Sequence, residues 1–156
     1  MRAVIQRVKE AKVVVAGKTV GEIGPGLMVL VGFGRDDALR DIDWMVEKVV
    51  NLRIFEDDPC TGAAPSGEGK LDKSVLDIGG SLLLVSQFTL YGDCRKGRRP
   101  SFSDAMGAGE AGGLFDLFVE KSRAKVRRVE TGVFQASMDV SLVNEGPVTL
   151  ILDSRI

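Results

Sequence analysis

Gly26-Leu27-Met28-Val29-Leu30-Val31-Gly32-Phe33 is a short run with no polar side chain in it, the pattern of a strand covered on both faces, and it is placed in the core. Upstream, residues 2–15 and 18–23 read as a β-hairpin, with Ala16-Gly17 at the turn and alternation at Val13, Val15 and Val20. Downstream, Asp36-Asp37 is a suitable helix N-cap, and Leu39, Ile42, Met45, Val46, Val49 and Val50 follow the i, i+3, i+4, i+7 rhythm of an amphipathic helix ending between Asn51 and Phe55. Residues 56–69, rich in Gly, Pro and Ser, read as a surface loop. Two further strands are expected at 74–78 and 82–90, joined by Gly79-Gly80. A second helix is expected at 111–125, with Leu114, Phe115, Leu117 and Phe118 toward the core, before strands return across 131–153. Strands at both ends around two helices predict an α+β fold: one domain over residues 1–156, with a largely antiparallel, barrel-like sheet packed with two main helices.

Composition fits one compact unit. A chain of 156 residues, 44% hydrophobic, can bury about two-thirds of its unfolded surface as a single domain. Its 21 Lys and Arg nearly balance 22 Asp and Glu, so bulk charge neither announces nor excludes a nucleic-acid partner. No apolar run approaches the roughly 20 residues a membrane span needs, and Met1 leads directly into strand-like sequence, so a soluble, cytoplasmic protein is expected. Cys60 and Cys94 lack a CxxC spacing and there is no histidine to complete a zinc site; two free thiols, no metal and no cofactor are expected.

Chemistry concentrates in two segments. Ser86-Gln87-Phe88-Thr89-Leu90-Tyr91-Gly92-Asp93 turns an apolar strand into hydroxyl, amide and aromatic groups at the edge of a core, a rigid place from which to hold a small substrate. Ser and Thr also occur in strands simply to satisfy backbone groups. With no histidine and no Ser-x-x-Lys arrangement, neither hydroxyl has a visible base, and a triad-type nucleophile is poorly supported. The second segment is Asn144-Glu145-Gly146-Pro147-Val148-Thr149. A trans Gly146-Pro147 bond would be an ordinary turn before a strand; a cis bond would aim consecutive carbonyl oxygens in one direction.

Local charge adds a third element. Arg95, Lys96, Arg98 and Arg99 form one acid-free cluster, and Lys121, Arg123, Lys125, Arg127 and Arg128 form another. Both suit contacts to a phosphate backbone, although cations near a helix C-terminus are also favoured by the macrodipole alone.

Taken in order, Ser86 to Leu90 with Asp93, Arg99-Pro100-Ser101-Phe102, Thr131-Gly132-x-Phe134 and Ser141 to Thr149 resemble the D-aminoacyl-tRNA deacylases. Met1 to Val8 and Gly26 to Gly32 fit as well, so the resemblance spans essentially the whole chain. It implies an editing hydrolase that cuts the ester between a D-amino acid, or glycine, and the terminal adenosine of tRNA. It implies a homodimer whose Gly146-Pro147 pair is cis and reaches into the partner's pocket, where the two carbonyl oxygens engage the α-amino group and leave an L side chain no room. An aminoacyl ester is already activated, so positioning and oxyanion stabilisation can replace the missing imidazole, with the tRNA's own terminal 2′-hydroxyl assisting water.

By the same resemblance Ser86, Gln87 and Thr89 are the catalytic candidates, with Thr89 nearest the scissile ester. Phe88, Met138, Gly146, Pro147 and Arg7 are the substrate-binding candidates, Arg7 bracing the Gly-Pro segment; Arg95, Lys96, Arg98, Arg99, Lys121 and Lys125 are the tRNA-binding candidates. The chain departs from its relatives at Gln135-Ala136-Ser137, where small residues are common, and at Met106-Gly107-Ala108-Gly109, often Pro-rich, which blurs the start of the second helix. Two alternatives stand beside the editing deacylase: a non-catalytic tRNA- or RNA-binding module, and an esterase with Thr89 or Ser86 as nucleophile.

Overall fold

A computed structural model of the chain describes residues 1–56 and 71–155. The order is β1 (Arg2–Val15), β2 (Lys18–Ile23), β3 (Gly26–Gly32), α1 (Leu39–Asn51), β4 (Phe55–Glu56), β5 (Leu71–Lys73), β6 (Ser81–Ser86), a 3-10 turn (Phe88–Tyr91), α2 (Ala108–Arg123), β7 (Val129–Thr131) and β8 (Asp139–Asp153). Cys60 and most of the expected 56–69 loop lie outside the described residues.

β1 organises the sheet. It pairs antiparallel with β2, β3 and β8, while β3–β6 and β6–β7 are parallel. The path β2-β1-β3-β6-β7 curls until β2 lies against β7. At that seam a Cβ on Gly21 would stand 2.5 Å from the Thr131 carbonyl oxygen, so only glycine lets the barrel come this close to closure.

The apolar run at Gly26–Gly32 is covered on both faces because successive side chains of a strand point to opposite sides. Leu27, Val29 and Val31 join Leu82 and Leu84 of β6 under the helices, against Ile42, Met45, Val46, Phe115 and Phe118. Met28 joins Leu83 and Val85 inside the barrel with Val8, Ala11, Val13 and Ile23. β3 is thus the wall between two apolar compartments, and the full burial of these side chains contributes roughly 1.5–3 kcal/mol each before entropy is counted.

Three expectations are corrected. The N-cap of α1 is Ala38, whose N–H donates to Asp41 Oδ2 at 2.9 Å; Asp37 turns back to accept from the Gly34 N–H and the Met1 α-amino group, both at 2.6 Å, and from the Tyr91 hydroxyl. Residues 74–78 form a turn rather than a strand. The Asp77 carboxylate accepts from the Ser74 N–H (2.8 Å) and hydroxyl (2.7 Å), and the Asp77 N–H donates back to Ser74 Oγ at 3.2 Å, so the reciprocal box closes the chain on itself. The strand expected at 82–90 stops at Ser86, since its partner β3 ends at Gly32 and the Gln87 N–H to Val31 carbonyl bond, at 2.7 Å, is the last of that pairing. In addition, α2 begins at Ala108, three residues before the expected start at Ala111.

Candidate active site

Parallel pairing places the carboxyl ends of β3 and β6 side by side, and a cleft of about 550 Å³ opens there. Val31 and Phe33 at the end of β3, with Val85 of β6, supply an apolar floor, and Ser86, Gln87 and Phe88 form a polar and aromatic lip. The amino end of α2 brings Ala108 and Ala111; the far wall is Phe134, Gln135, Ala136 and Met138. Small apolar and rigid aromatic walls with a few polar groups are what a compact substrate site requires.

Four sequence-based candidates, Ser86, Gln87, Phe88 and Met138, line this cleft. Thr89 stands beside it in the 3-10 turn and accepts a hydrogen bond at Oγ1 from the Gln87 side-chain amide. A hydroxyl oxygen that accepts from an amide keeps its own proton free to donate, and the donor beside it is no base. Phe88 is 57% exposed and packs edge-on against Phe102, ring centroids 5.1 Å apart.

Phe102 also connects the lip to the first basic cluster. The main chains of Asp93 and Ser101 exchange hydrogen bonds of 2.7 and 2.9 Å, pinching residues 94–100 into an exposed loop. Arg95 grips Asp93 through two charge-assisted bonds, Nε to Oδ1 at 2.9 Å and Nη2 to Oδ2 at 2.7 Å. That grip, with the Arg95 N–H, holds the Asp93 carboxyl down at about 2. Lys96, Arg98 and Arg99 make no ion pair with the described residues and project from the loop. Cys94, on the same loop, is a free, exposed thiol.

The second cluster is differently engaged. Lys121 Nζ of α2 lies 2.8 Å from Asp43 Oδ1 and Lys125 Nζ, just past the end of α2, lies 2.7 Å from Glu47 Oε1, so the two lysines staple the carboxyl end of α2 to α1. The acids missing from the local sequence come from another helix.

Arg7, Gly146 and Pro147 do not line the cleft of their own chain. Arg7 is buried, donates from Nη1 to the Ile54 carbonyl (2.7 Å) and from Nε to the Glu145 carbonyl (3.3 Å), and lies 3.9 Å from the carboxylates of both Glu56 and Glu145. The Gly146-Pro147 bond is cis, Gly146 has φ +116°, and both residues are exposed. Arg7 therefore fixes the approach to an outward-facing dipeptide. Burial of an arginine among carbonyl acceptors and two carboxylates is the arrangement that keeps such a charge from being left unpaired.

The walls that the sequence reading missed are Val31, Phe33, Ala108 and Ala111; Gln135 and Ala136 are expected only as a departure that alters the pocket wall, and Phe134 only as part of a motif. Gln135 carried one signal, as a long polar residue among small ones; the rest are ordinary core residues until the tertiary fold brings them together.

A sequence model described as D-Tyr-tRNA(Tyr) deacylase matches residues 4–153. A protein of Desulfitobacterium hafniense (strain DSM 10664 / DCB-2) named D-aminoacyl-tRNA deacylase is 56% identical over 155 residues, covering 99% of this chain and 98% of its own. One of the same name from Kosmotoga olearia (strain ATCC BAA-1733 / DSM 21960 / TBF 19.5.1) is 58% identical over 155 residues with the same coverage. Among solved structures, one named c-Myc DNA Unwinding Element Binding Protein superposes with a TM-score of 0.89 at 40% identity and covers 100% of both chains. A probable eukaryotic D-amino acid tRNA deacylase superposes with a TM-score of 0.81 at 21% identity over 97% of each chain, a likeness of fold.

Proposed function

Because the chain belongs to the D-Tyr-tRNA(Tyr) deacylase family, we propose that it hydrolyses the ester joining a D-amino acid, or glycine, to the terminal adenosine of tRNA, in the cytoplasm where charged tRNA is made. Water adds to the ester carbonyl, the tetrahedral intermediate collapses, and the products are the free amino acid and a tRNA with its 3′ hydroxyl restored. The observation that carries this reading is the cleft at the ends of β3 and β6, whose polar lip is Ser86-Gln87 with Thr89 adjoining, in a chain without histidine.

No imidazole can take the proton from water, and Thr89 has an amide donor rather than a base as its neighbour. The reading therefore assigns general-base assistance to the adjacent 2′-hydroxyl of the tRNA. Ser86, Gln87 and Thr89 hold the ester and offer hydrogen bonds to the carbonyl oxygen as it gains charge, a contribution of roughly 10²–10³ in rate for each well-placed donor. Phe88 and Met138 flank the aminoacyl-adenosine. The phosphate backbone is assigned first to Lys96, Arg98 and Arg99; Arg95, gripped by Asp93, and Lys121 and Lys125, held by Asp43 and Glu47, have the weaker claim.

Chiral selection is assigned to Gly146 and Pro147 of a second copy in a homodimer. Two observations support this: the dipeptide is exposed and outside its own cleft, and β8 displays Val143 and Ile151, 46% and 76% exposed, on a surface that another copy can cover. Main-chain oxygens held by Arg7 through the Glu145 carbonyl cannot yield to an ill-fitting side chain, so rejection of the L ester follows from shape.

A second reading has one observation in its favour. The 40%-identical structure bears a DNA-binding protein's name, and Lys96, Arg98 and Arg99 would serve a binding module equally well. The test is a time course of D-tyrosyl-tRNA decay, with normal and 2′-deoxy terminal adenosine. Rapid decay of the normal substrate and strongly slowed decay of the deoxy one is expected; decay no faster than in buffer selects the binding module, and equal decay of both selects a protein nucleophile.

A further inference from the structure

Two non-glycine residues have positive φ: Ala16 at 48° and Gln135 at 62°. Ala16 needs no special account, since it lies with Gly17 in the two-residue turn of the β1–β2 hairpin, whose favoured form has positive φ at both central positions. Gln135 belongs to no such hairpin. It occupies the third position of the turn closed by the Ala136 N–H to Val133 carbonyl bond, at 3.2 Å, a position with positive φ that ordinarily falls to glycine or asparagine. The turn is held from both sides. Phe134 packs on Phe115 of α2, centroids 6.2 Å apart, and Met138 packs against the apolar interior of the barrel. Gln135 is thereby displayed on the cleft wall with its side-chain amide exposed and without a hydrogen-bond partner among the described residues. A long polar side chain kept in a conformation that suits glycine, and pointed to no structural task, marks a functional position.

We propose that Gln135 is a specificity-determining contact that reads the edge of the terminal adenine. The inference rests on the deacylase reading and goes beyond it by naming what the far wall recognises. A primary amide pairs one donor with one acceptor, and adenine presents the complementary pair where its N6 amino group adjoins a ring nitrogen, which is why Gln and Asn are its usual bidentate partners. The aminoacyl part varies from substrate to substrate and offers no constant partner. The terminal base is the same in every charged tRNA, so a fixed amide gains from it on every encounter.

The experiment compares wild type with Gln135→Gly and Gln135→Asn on D-tyrosyl-tRNA ending in adenosine or in purine riboside, which lacks the N6 amino group. Both replacements accept positive φ, so folding is preserved. On the adenosine substrate Gln135→Gly is expected to lose about tenfold in kcat/KM, within the discrimination a bidentate base contact provides. Wild type should lose a similar factor on the purine substrate, and the glycine variant should be indifferent to the change of base, while Gln135→Asn falls between. Multiplying penalties, an unaffected glycine variant, or a penalty that tracks D-tyrosyl against D-alanyl esters instead of the base would each overturn the assignment. Dissociation constants for uncharged tRNA with the two ends repeat the comparison without turnover. A wild type that hydrolyses nothing defeats the deacylase reading alone, and coupling in binding still decides Gln135.

Discussion

Thr89 and Gly146 make opposite demands on their surroundings. The Thr89 hydroxyl is engaged as an acceptor by Gln87, which suits it to donate toward a developing oxyanion and leaves it without the base a nucleophile requires. Thr89→Ala is therefore expected to keep measurable deacylation of D-tyrosyl-tRNA, lowered by roughly 10²–10³-fold, the worth of a missing oxyanion donor. Complete loss in a folded variant would establish Thr89 as the covalent group. Gly146 is constrained by backbone: at φ +116°, where an added Cβ would stand only 2.7 Å from Arg7 Nη2, alanine meets both an unfavourable conformation and a buried cation. Gly146→Ala should cost about 1–3 kcal/mol of stability, read from denaturant unfolding, and shift the carbonyls enough to relax discrimination between D and L esters. Equal stability together with unchanged selectivity would remove Gly146 from the selection device.

At the scale of elements, charge separates the two basic clusters. The 94–100 loop, pinched by the Asp93–Ser101 bridge and tied to Phe88 through Phe102, carries Lys96, Arg98 and Arg99, which the described acids leave unpaired, whereas Arg95 is held by Asp93 and Lys121 and Lys125 are joined to α1. Arg98→Ala with Arg99→Ala should weaken tRNA binding and flatten its salt dependence by roughly 0.7–0.9 for each phosphate no longer neutralised, leaving kcat at saturation nearly unchanged. Replacing Lys121 and Lys125 should cost at most about 1 kcal/mol per exposed ion pair and move the salt slope less. An equal slope change for both pairs would place α2 on the RNA. The same contrast shows where sequence was informative. β1, β2, β3 and α1 were legible because periods of 2.0 and 3.6 are local properties, and Leu27 or Ile42 declares its face by spacing alone. The turn at 74–80 carried a signal of its own in Ser74-x-x-Asp77, but the apolar Val75, Leu76 and Ile78 suggested a strand. The acids opposite Lys121 and Lys125, the parallel course of β6 beside β3, and the meeting of Phe134 with Ala111 at the cleft depend on long-range packing that no local pattern carries. Ser86, Gln87 and Phe88 stood out as the polar end of an apolar strand and Met138 by resemblance alone, and their convergence on one cleft is a property of the tertiary fold.

For the whole molecule, the barrel-like sheet makes a rigid floor, and its longest surface strand, β8, carries the exposed dipeptide and a surface suited to a second copy. The two ends of the described chain are held together through Arg2 and Asp153, 2.9 Å apart, and through the Met1 α-amino group, which donates to Ser154 Oγ at 2.7 Å, while the Ser154 hydroxyl donates on to Asp41 of α1 at 2.7 Å. Burial raises the pKa of Asp153, but the Arg2 side chain and Arg155 N–H outweigh it and leave the carboxyl below its usual 3.8; Asp41 is lowered likewise, burial being outweighed by Ser154 and the Ala38 N–H. Carboxylates with depressed folded pKa values add stability above the unfolded value, and that contribution disappears as pH falls from about 4 through the folded values. Asp153→Asn should thus be less stable than wild type at pH 6, with the gap closing toward pH 3. A gap that persists in acid would contradict the ion-pair account. With no histidine in the chain, the activity profile should also show no inflection from an enzyme imidazole near pH 6.5. The claim on which all of this depends is a cleft that cleaves one hand of an aminoacyl ester and excludes the other. Its most direct measurement is the ratio of kcat/KM for D-tyrosyl-tRNA over L-tyrosyl-tRNA with the purified protein. The account predicts a ratio of at least about 10², equivalent to some 2.7 kcal/mol of steric exclusion; a ratio near one, or no turnover of either ester, would contradict it.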